Sequence, residues 1–293
     1  MTLPFRLLAI DIDGTLLNSN FVISPVDMSA LRRAHKLGIE IILCTGRRHN
    51  FALPIARQLE FEMWLCSSNG ALTRSTKGET FHCDLMPVEV ARKFCAHMNE
   101  FRAGMVLTFD RESRGALVVE QLQELSITVA RWVETNRDYI EVVQPIEKAL
   151  KADPIQAMIC GTIAQMERAQ TILADFEELK EVTVLKTQYD ARDLCLLDLL
   201  KAECSKGHAV ERWAKWRNIP REQVMAIGDN YNDIEMLQFA GYPVVMGNSS
   251  ADLKRHGWME TLSNDENGIA NALEMVLGAE VMQLESQMES GKI

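Results

Sequence analysis

The chain has 293 residues, 47% hydrophobic and 25% charged, with 31 Lys and Arg against 41 Asp and Glu and a formal charge of −10. A chain of this length and make-up buries cores of its own and has room for two domains, which excludes a disordered, collagenous or coiled-coil state. The acidic balance is wrong for neutralising a phosphate backbone, so no nucleic-acid partner is expected.

The opening MTLPFRLLAIDID has no basic region followed by a long apolar stretch, and no apolar run reaches the length of a membrane span. The chain therefore reads as cytoplasmic, with no membrane partner. Seven cysteines are spread along it without a CxxC pair, several inside apolar runs, as buried free thiols of a reducing compartment would be.

Leu7 to Ile12 is a short apolar run ending in acid and predicts a buried strand. Ser24-Pro25-Val26-Asp27 carries helix-start residues at N-cap, N1 and N3, and predicts a helix to about Leu37, stopped by Gly38. Ile39 to Cys44 and Met63 to Cys66 are further apolar strands, separated by a helix over Arg48 to Leu59 with Pro54 inside it. Strands alternating with helices imply right-handed crossovers and a parallel sheet covered on both faces. Ala71 to Cys83 then reads as a polar hairpin around Lys77-Gly78.

The pattern changes after that. Pro87 to Phe101 predicts an amphipathic helix, and Met105 to Phe109 with Ala116 to Glu120 an antiparallel pair. Ile140 to Gln144, Ile155 to Cys160 and Val182 to Lys186 are strand candidates, with a helix over Ile163 to Leu179; Asp193 to Leu200 is apolar and fits either state. The βα alternation returns with a helix over Lys206 to Asn218, a strand over Val224 to Ile227, a helix over Asp233 to Phe239, a strand over Pro243 to Met246 and a long helix from Asn267. The tail after Leu277 is polar and expected to fray. The expected fold is an α/β core with a doubly wound, mostly parallel, Rossmann-like sheet, split by an inserted α+β unit. Residues 1–83 and 194–293 form the core and 84–193 the insertion.

Four polar segments stand where buried strands end or helices begin. In Asp11-Ile12-Asp13-Gly14-Thr15-Leu16, residues two apart point the same way, so two carboxylates converge at the strand's C-terminal edge, where open α/β sheets bind ligands. Such acids repel each other unless a cation neutralises them. Cys44-Thr45-Gly46-Arg47 offers a hydroxyl, a glycine amide and a helix start, which together suit an anion. Ser205-Lys206-Gly207 puts a lysine at a helix N-terminus, against the macrodipole, where an acidic pocket or a phosphate would justify it. Gly228-Asp229-Asn230-Tyr231-Asn232-Asp233 adds carboxylates and an amide at the same edge, hard oxygen ligands of the kind Mg²⁺ takes. Taken singly, each segment reads as easily as a loop cap or a solvated charge; together and in this order they form a pattern.

That pattern resembles the haloacid dehalogenase superfamily of phosphohydrolases, and within it the Cof-type members of subfamily IIB, whose large α+β cap is inserted between the second and third motifs. DIDGTLL, TGR, Lys206-Gly207 and GDNYND are similar to the four family motifs, and SSNGAL at 67–72 and MGNS at 246–249 to further Cof-type segments. Ser249 and His256-Gly257-Trp258 depart locally from the family's usual residues.

The resemblance implies a Mg²⁺-dependent phosphatase acting on small phosphate monoesters, sugar phosphates or phosphorylated cofactors, through an aspartyl-phosphate. It implies Asp11 as nucleophile and Asp13 as general acid, then base. Mg²⁺ would be held by the Asp11 and Asp229 carboxylates and the Asp13 carbonyl. Thr45, Gly46, Lys206 and Asn232 would bind the phosphoryl group, with Arg47 beside it, and Asp233 would orient Lys206 or a water on the ion. The insertion would cap the cleft and choose the substrate, with Arg111, Arg114 and Arg192 as weaker candidates for contacts. A small phosphorylated metabolite is the expected partner, and a monomer or weak homo-oligomer the expected state. A phosphomutase of the phosphomannomutase type and a non-catalytic phosphometabolite-binding protein are the alternatives.

Overall fold

The computed structural model of the chain describes residues 3–278, and the side chains of all of these except 123–129. Two compact units are present, Met1–His82 with Lys206–Ile293, and Cys83–Ser205. The core begins with β1 (Leu7–Asp11), α1 (Pro25–Lys36), β2 (Glu40–Cys44), α2 (His49–Ala56), β3 (Trp64–Ser67), β4 (Leu72–Ser75) and β5 (Thr80–Cys83). The inserted unit contains α3 (Val88–His97), β6 (Met105–Thr108), β7 (Leu117–Val119), α4 (Leu122–Asn136), β8 (Ile140–Val142), β9 (Gln156–Gly161), α5 (Ile163–Leu173), β10 (Val182–Tyr189) and β11 (Leu194–Lys201). The core resumes with α6 (Lys206–Trp216), β12 (Val224–Gly228), α7 (Ile234–Phe239), β13 (Tyr242–Val245), α8 (Ala251–Lys254), β14 (Met259–Glu260) and α9 (Gly268–Leu277).

The core sheet runs β14-β13-β12-β1-β2-β3-β4-β5. Its first six strands in that order are parallel, and β4 turns back antiparallel on β3. Alternation along each strand sends side chains to opposite faces. Leu8, Ile10, Ile41, Leu43, Met225 and Ile227 pack against α1, α2 and α9. Leu7, Ala9, Ile42, Cys44, Val224 and Ala226 pack against α6 and α7, around the buried Trp213. The core is therefore a doubly wound α/β sheet. α1 shows the local logic: Ser24 caps it by accepting from Asp27 N at 3.0 Å, Pro25 opens it, and Ala30, Leu31 and Ala34 form its buried face. Burying a Leu such as Leu31 contributes roughly 2 kcal/mol.

β1 lies between β2 and β12, with Asp11 opposite Cys44 and Ile10 opposite Ile227. The chain steps from β1 to β2 on one side and reaches β12 on the other, which makes the C-terminal end of β1 a topological switch point, the usual ligand edge of such sheets.

In the inserted unit the sheet order is β10-β11-β9-β6-β7-β8, antiparallel except for the parallel β7–β8 pair. Phe94, Met166, Leu173, Leu197 and Leu199 belong to its main core. The structure corrects several expectations. Residues 194–201 were expected to begin the second part of the core. They instead form β11, paired along its length with β10 and also with β9, and the core resumes only at Lys206. Cross-strand partners decide an apolar run that periodicity leaves ambiguous. α4 was not expected, because Ile127, Thr128 and Val129 are β-branched residues of modest helix propensity, although Leu122, Leu125, Val129, Trp132, Val133 and Asn136 have helical spacing. α5 stops at Leu173 rather than Leu179, and the short α8 and β14 carried too little periodicity to be seen. The helix expected from Asn267 is α9, Gly268–Leu277; the tail expected to fray lies outside the described residues. No helix among the described residues is long and apolar enough to cross a membrane.

Candidate active site

Four segments far apart in sequence meet at the C-terminal end of β1. Asp11 closes β1, Thr45 follows β2, Asp229 follows β12, and Lys206 is the first residue of α6. Lys206 Nζ donates to Asp11 Oδ1 at 2.5 Å and to Asp233 Oδ1 at 2.7 Å. Its side chain is 1% exposed, that of Asp11 6% and that of Asp233 0%, so these charges face one another in a protein interior.

Asp233 is engaged at both oxygens, since its Oδ2 accepts from Asp229 N at 3.1 Å and Asn230 N at 3.0 Å. It thereby shapes the turn that carries Asp229. The Asp229 carboxylate is held from the other side by Thr15, whose hydroxyl donates to Oδ1 at 2.9 Å. Gly14, with φ +85°, is the neighbour of that bond; a Cβ there would lie 2.4 Å from Asp229 Oδ2. Glycine is required at position 14 both for the backbone angle and for the close approach.

One oxygen each of Asp11, Asp229 and Asp233 lie within 4.8 Å of one another. Three carboxylates against the Lys206 ammonium leave two negative charges uncompensated when all are ionised. The electrostatics record that surplus. Burial, opposed by Lys206 and reinforced by Asp233 and Asp13, pushes the Asp11 carboxyl up to about 7. Burial and repulsion from Asp11 and Asp233 hold Asp229 well above the usual carboxylate range. Burial disfavours the Lys206 ammonium, but Asp11 and Asp233 outweigh it and raise its pKa. A set of oxygen donors, two buried and one half-buried, short of two positive charges fits a divalent cation of the Mg²⁺ type.

The remaining expected residues are arranged around this group. The Asp13 side chain, near enough to add to the repulsion on Asp11, is held by Arg47, with Nε on Oδ2 at 2.7 Å and Nη2 on Oδ1 at 2.5 Å. Arg47, expected beside the phosphoryl group, thus directs its fork at Asp13. Thr45 is buried, and its hydroxyl accepts from Arg47 N at 3.0 Å, which curls the loop so that Gly46 lies between them. Asn232 donates through Nδ2 to Asn69 Oδ1 at 2.9 Å, and an added Cβ on Gly46 would come 3.2 Å from that same oxygen. The sequence pattern alone assigns no role to Thr15 or Asn69, although they lie inside DIDGTLL and SSNGAL; a polar residue directly after a turn glycine, and an amide in a strand-ending turn, are the signals that point to them. In the inserted unit, Arg111 lies over the Phe109 ring at 4.8 Å and Arg192 over Tyr189 at 5.5 Å, while Arg114 is exposed. His256 stacks on Trp258 at 4.4 Å.

Comparison with known proteins gives the family and the fold. A family described as haloacid dehalogenase-like hydrolase matches residues 8–273. The chain is 30% identical over 289 residues to phosphatase YwpJ of Bacillus subtilis (strain 168), covering 93% of this chain and all of that protein. It is 26% identical to pyridoxal phosphate phosphatase YbhA of Escherichia coli (strain K12), over 90% of this chain and 96% of that one. Among solved structures, a haloacid dehalogenase-like hydrolase from B. subtilis superposes with a TM-score of 0.79 at 26% identity, covering 93% of this chain and 100% of the other.

Proposed function

The chain belongs to the haloacid dehalogenase-like hydrolase family, as a Cof-type phosphoric monoester hydrolase, and we propose that it is a Mg²⁺-dependent phosphatase working through phosphorylated Asp11. The observation that carries this reading is the cluster of buried Asp11, Asp233 and Lys206 with half-buried Asp229, two positive charges short, at the switch point of the sheet.

The Asp11 and Asp229 carboxylates and the Asp13 carbonyl would hold Mg²⁺, with Asp233 behind them. When bound, the ion supplies the positive charge that lets an anionic nucleophile meet an anionic phosphate. The Asp11 carboxylate attacks phosphorus in line; an O–P bond to Asp11 forms as the bond to the leaving oxygen breaks. Asp13 gives that oxygen a proton, and afterwards takes one from the water that displaces phosphate from Asp11. One carboxyl serves both steps because the second reverses the proton demand of the first. Arg47 fixes the plane of the Asp13 carboxylate through its two-bond fork.

Lys206 balances charge on the phosphoryl oxygens and on Asp11, and Asp233 keeps the ammonium aimed between them. Thr45, the Gly46 amide and the second N–H of the Asn232 amide hold phosphoryl oxygens. Positioning and electrostatics of this kind dominate phosphoryl transfer. Small phosphate monoesters, sugar phosphates or phosphorylated cofactors, are the substrate class, in line with the named activity of YbhA. The test is a panel of such esters assayed for phosphate release with Mg²⁺ and with EDTA. Release that needs Mg²⁺ supports the reading. Isomerised ester without free phosphate would show a mutase instead, and no turnover of any ester would show a binding protein.

A further inference from the structure

We propose that Asn69 is a positioning residue for phosphate binding, setting the Asn232 amide in register with the Thr45–Gly46 loop. The inference rests on the reading above, in which Asn232, Thr45 and Gly46 hold the phosphoryl group, and it adds a residue that does not itself touch the substrate.

Asn69 lies in the short turn that follows β3, with φ 54° and ψ 32°. This left-handed conformation is strained for most residues and tolerated by Asn and Gly. The turn is clipped to the loop after β2 by its backbone: Asn69 N donates to Thr45 O and Ser68 N to Arg47 O, both at 2.8 Å. Both ends of the Thr45–Arg47 loop are thereby fixed.

The side chain reaches in the other direction. Asn69 Oδ1 accepts from Asn232 Nδ2 at 2.9 Å, across 163 positions of sequence, and lies over Gly46. Asn69 is 0% exposed and Asn232 6%, so water offers little competition for this bond. β2 and β12 flank β1 on opposite sides, and Asn69 ties the loop that follows one to the loop that follows the other. An amide has two N–H groups in a fixed plane. With one given to Asn69, the other points in a set direction; without that bond the Asn232 side chain would turn about its last torsion, which is broad. Asn69 therefore acts on the phosphoryl oxygens through Asn232.

Asn69→Gly separates this role from that of the turn, because glycine keeps the left-handed backbone and removes only the side chain. The experiment compares the wild-type chain, Asn69→Gly, Asn232→Ala and the double variant at saturating Mg²⁺. It measures kcat, KM and inhibition by inorganic phosphate, with circular dichroism and Tm to confirm folding. Asn69→Gly is expected to weaken inhibition by phosphate about tenfold and to lower kcat/KM by a similar factor, the worth of one oriented hydrogen bond. In the Asn232→Ala background it is expected to change either quantity by less than about twofold, since non-additivity marks residues that act as a unit. Asn69→Ser, too short to reach Asn232, replaces the glycine variant if that one does not fold. Unchanged phosphate inhibition in a folded Asn69 variant, or a full additional loss on top of Asn232→Ala, would overturn the inference and leave the phosphatase reading standing. A wild-type chain that releases no phosphate would overturn both.

Discussion

Each unit of the chain buries a small cluster of charge, and the two clusters behave in opposite ways. In the inserted unit, Arg102 lies between Glu120 and Glu147: Nη1 donates to Glu120 at 2.6 Å and to Glu147 Oε2 at 2.9 Å, and Nη2 to Glu147 Oε1. Glu120 also accepts from Ile146 N at 2.8 Å. The hydrogen bonds from Arg102 outweigh burial and hold Glu147 below the usual carboxylate range. In the core, three acids share one lysine, and Asp11 and Asp229 are pushed up instead. In the first cluster one guanidinium hydrogen-bonds both acids, leaving a single negative charge over, and ties the turn after α3 to the end of β7 and to the turn after β8. The second is stable as a set of ions only with more positive charge. Burial alone does not mark a site; buried carboxylates whose mutual repulsion raises their pKa values do.

The sharpest way to break that contrast is to remove an acid from each side. Asp11→Asn is expected to lower turnover by at least ~10⁴-fold, because the nucleophile is gone. It is also expected to raise the Tm of the metal-free protein at neutral pH, because it removes a repelled buried charge. Glu147→Gln is expected to lower Tm, since it takes away a carboxylate that the fold favours. Phosphate release and thermal melts on both variants check the pair, and an Asp11→Asn protein that keeps most of its activity would end the assignment of the nucleophile.

Removing the cation sharpens it next. Lys206→Met is expected to cost ~10²–10³ in kcat, as for the loss of one charge-stabilising donor. It also leaves Asp11 and Asp233 without their ammonium, so the metal-free protein should lose about 3 kcal/mol of stability. Arg102→Met should cost about 2 kcal/mol, less because its side chain is one-fifth exposed. Its kcat per folded molecule should stay within about threefold of wild type. Denaturant melts give the first quantity, and kinetics corrected for the folded fraction give the second.

The smallest effect is in pH. Folded, Asp11 keeps its proton to about 7, against 3.8 for an ordinary Asp. Its contribution to the stability of the metal-free protein is present below pH 3.8 and is lost as pH rises through 7. Mg²⁺ needs the ionised form. The gain in Tm on adding Mg²⁺ should therefore be larger at pH 8 than at pH 5, by roughly 2–4 °C. Equal gains at both pH values would mean that Asp11 is already ionised at the lower one.

The core was the more legible unit. Its strands are near-continuous apolar runs that end in polar residues, and Ser24, Pro25 and Asp27 announce α1 without any tertiary help. The inserted unit was less so, because an antiparallel sheet with ambiguous runs such as 193–200 is settled by its cross-strand partners. Within the site, the residue types and their order pointed to Asp11, Asp13, Asp229 and Lys206 converging, with Asp233 orienting Lys206; the three acids that gather are Asp11, Asp229 and Asp233. Side-chain direction did not follow from order. Asp13 and Arg47 stand in two separate motifs and each had its own plausible target, yet they bind one another. Thr15 and Asn69 act across long separations, on Asp229 and Asn232, which local pattern does not encode.

The most direct measurement is to stop turnover with acid, reduce the protein with borohydride, and locate the modified residue by peptide mass spectrometry. An acyl phosphate is reduced to an alcohol, so homoserine at position 11, formed with substrate and Mg²⁺ and absent from Asp11→Asn, is the expected result. Active enzyme in which position 11 is recovered as unmodified Asp, or in which another residue carries the phosphoryl group, would contradict it.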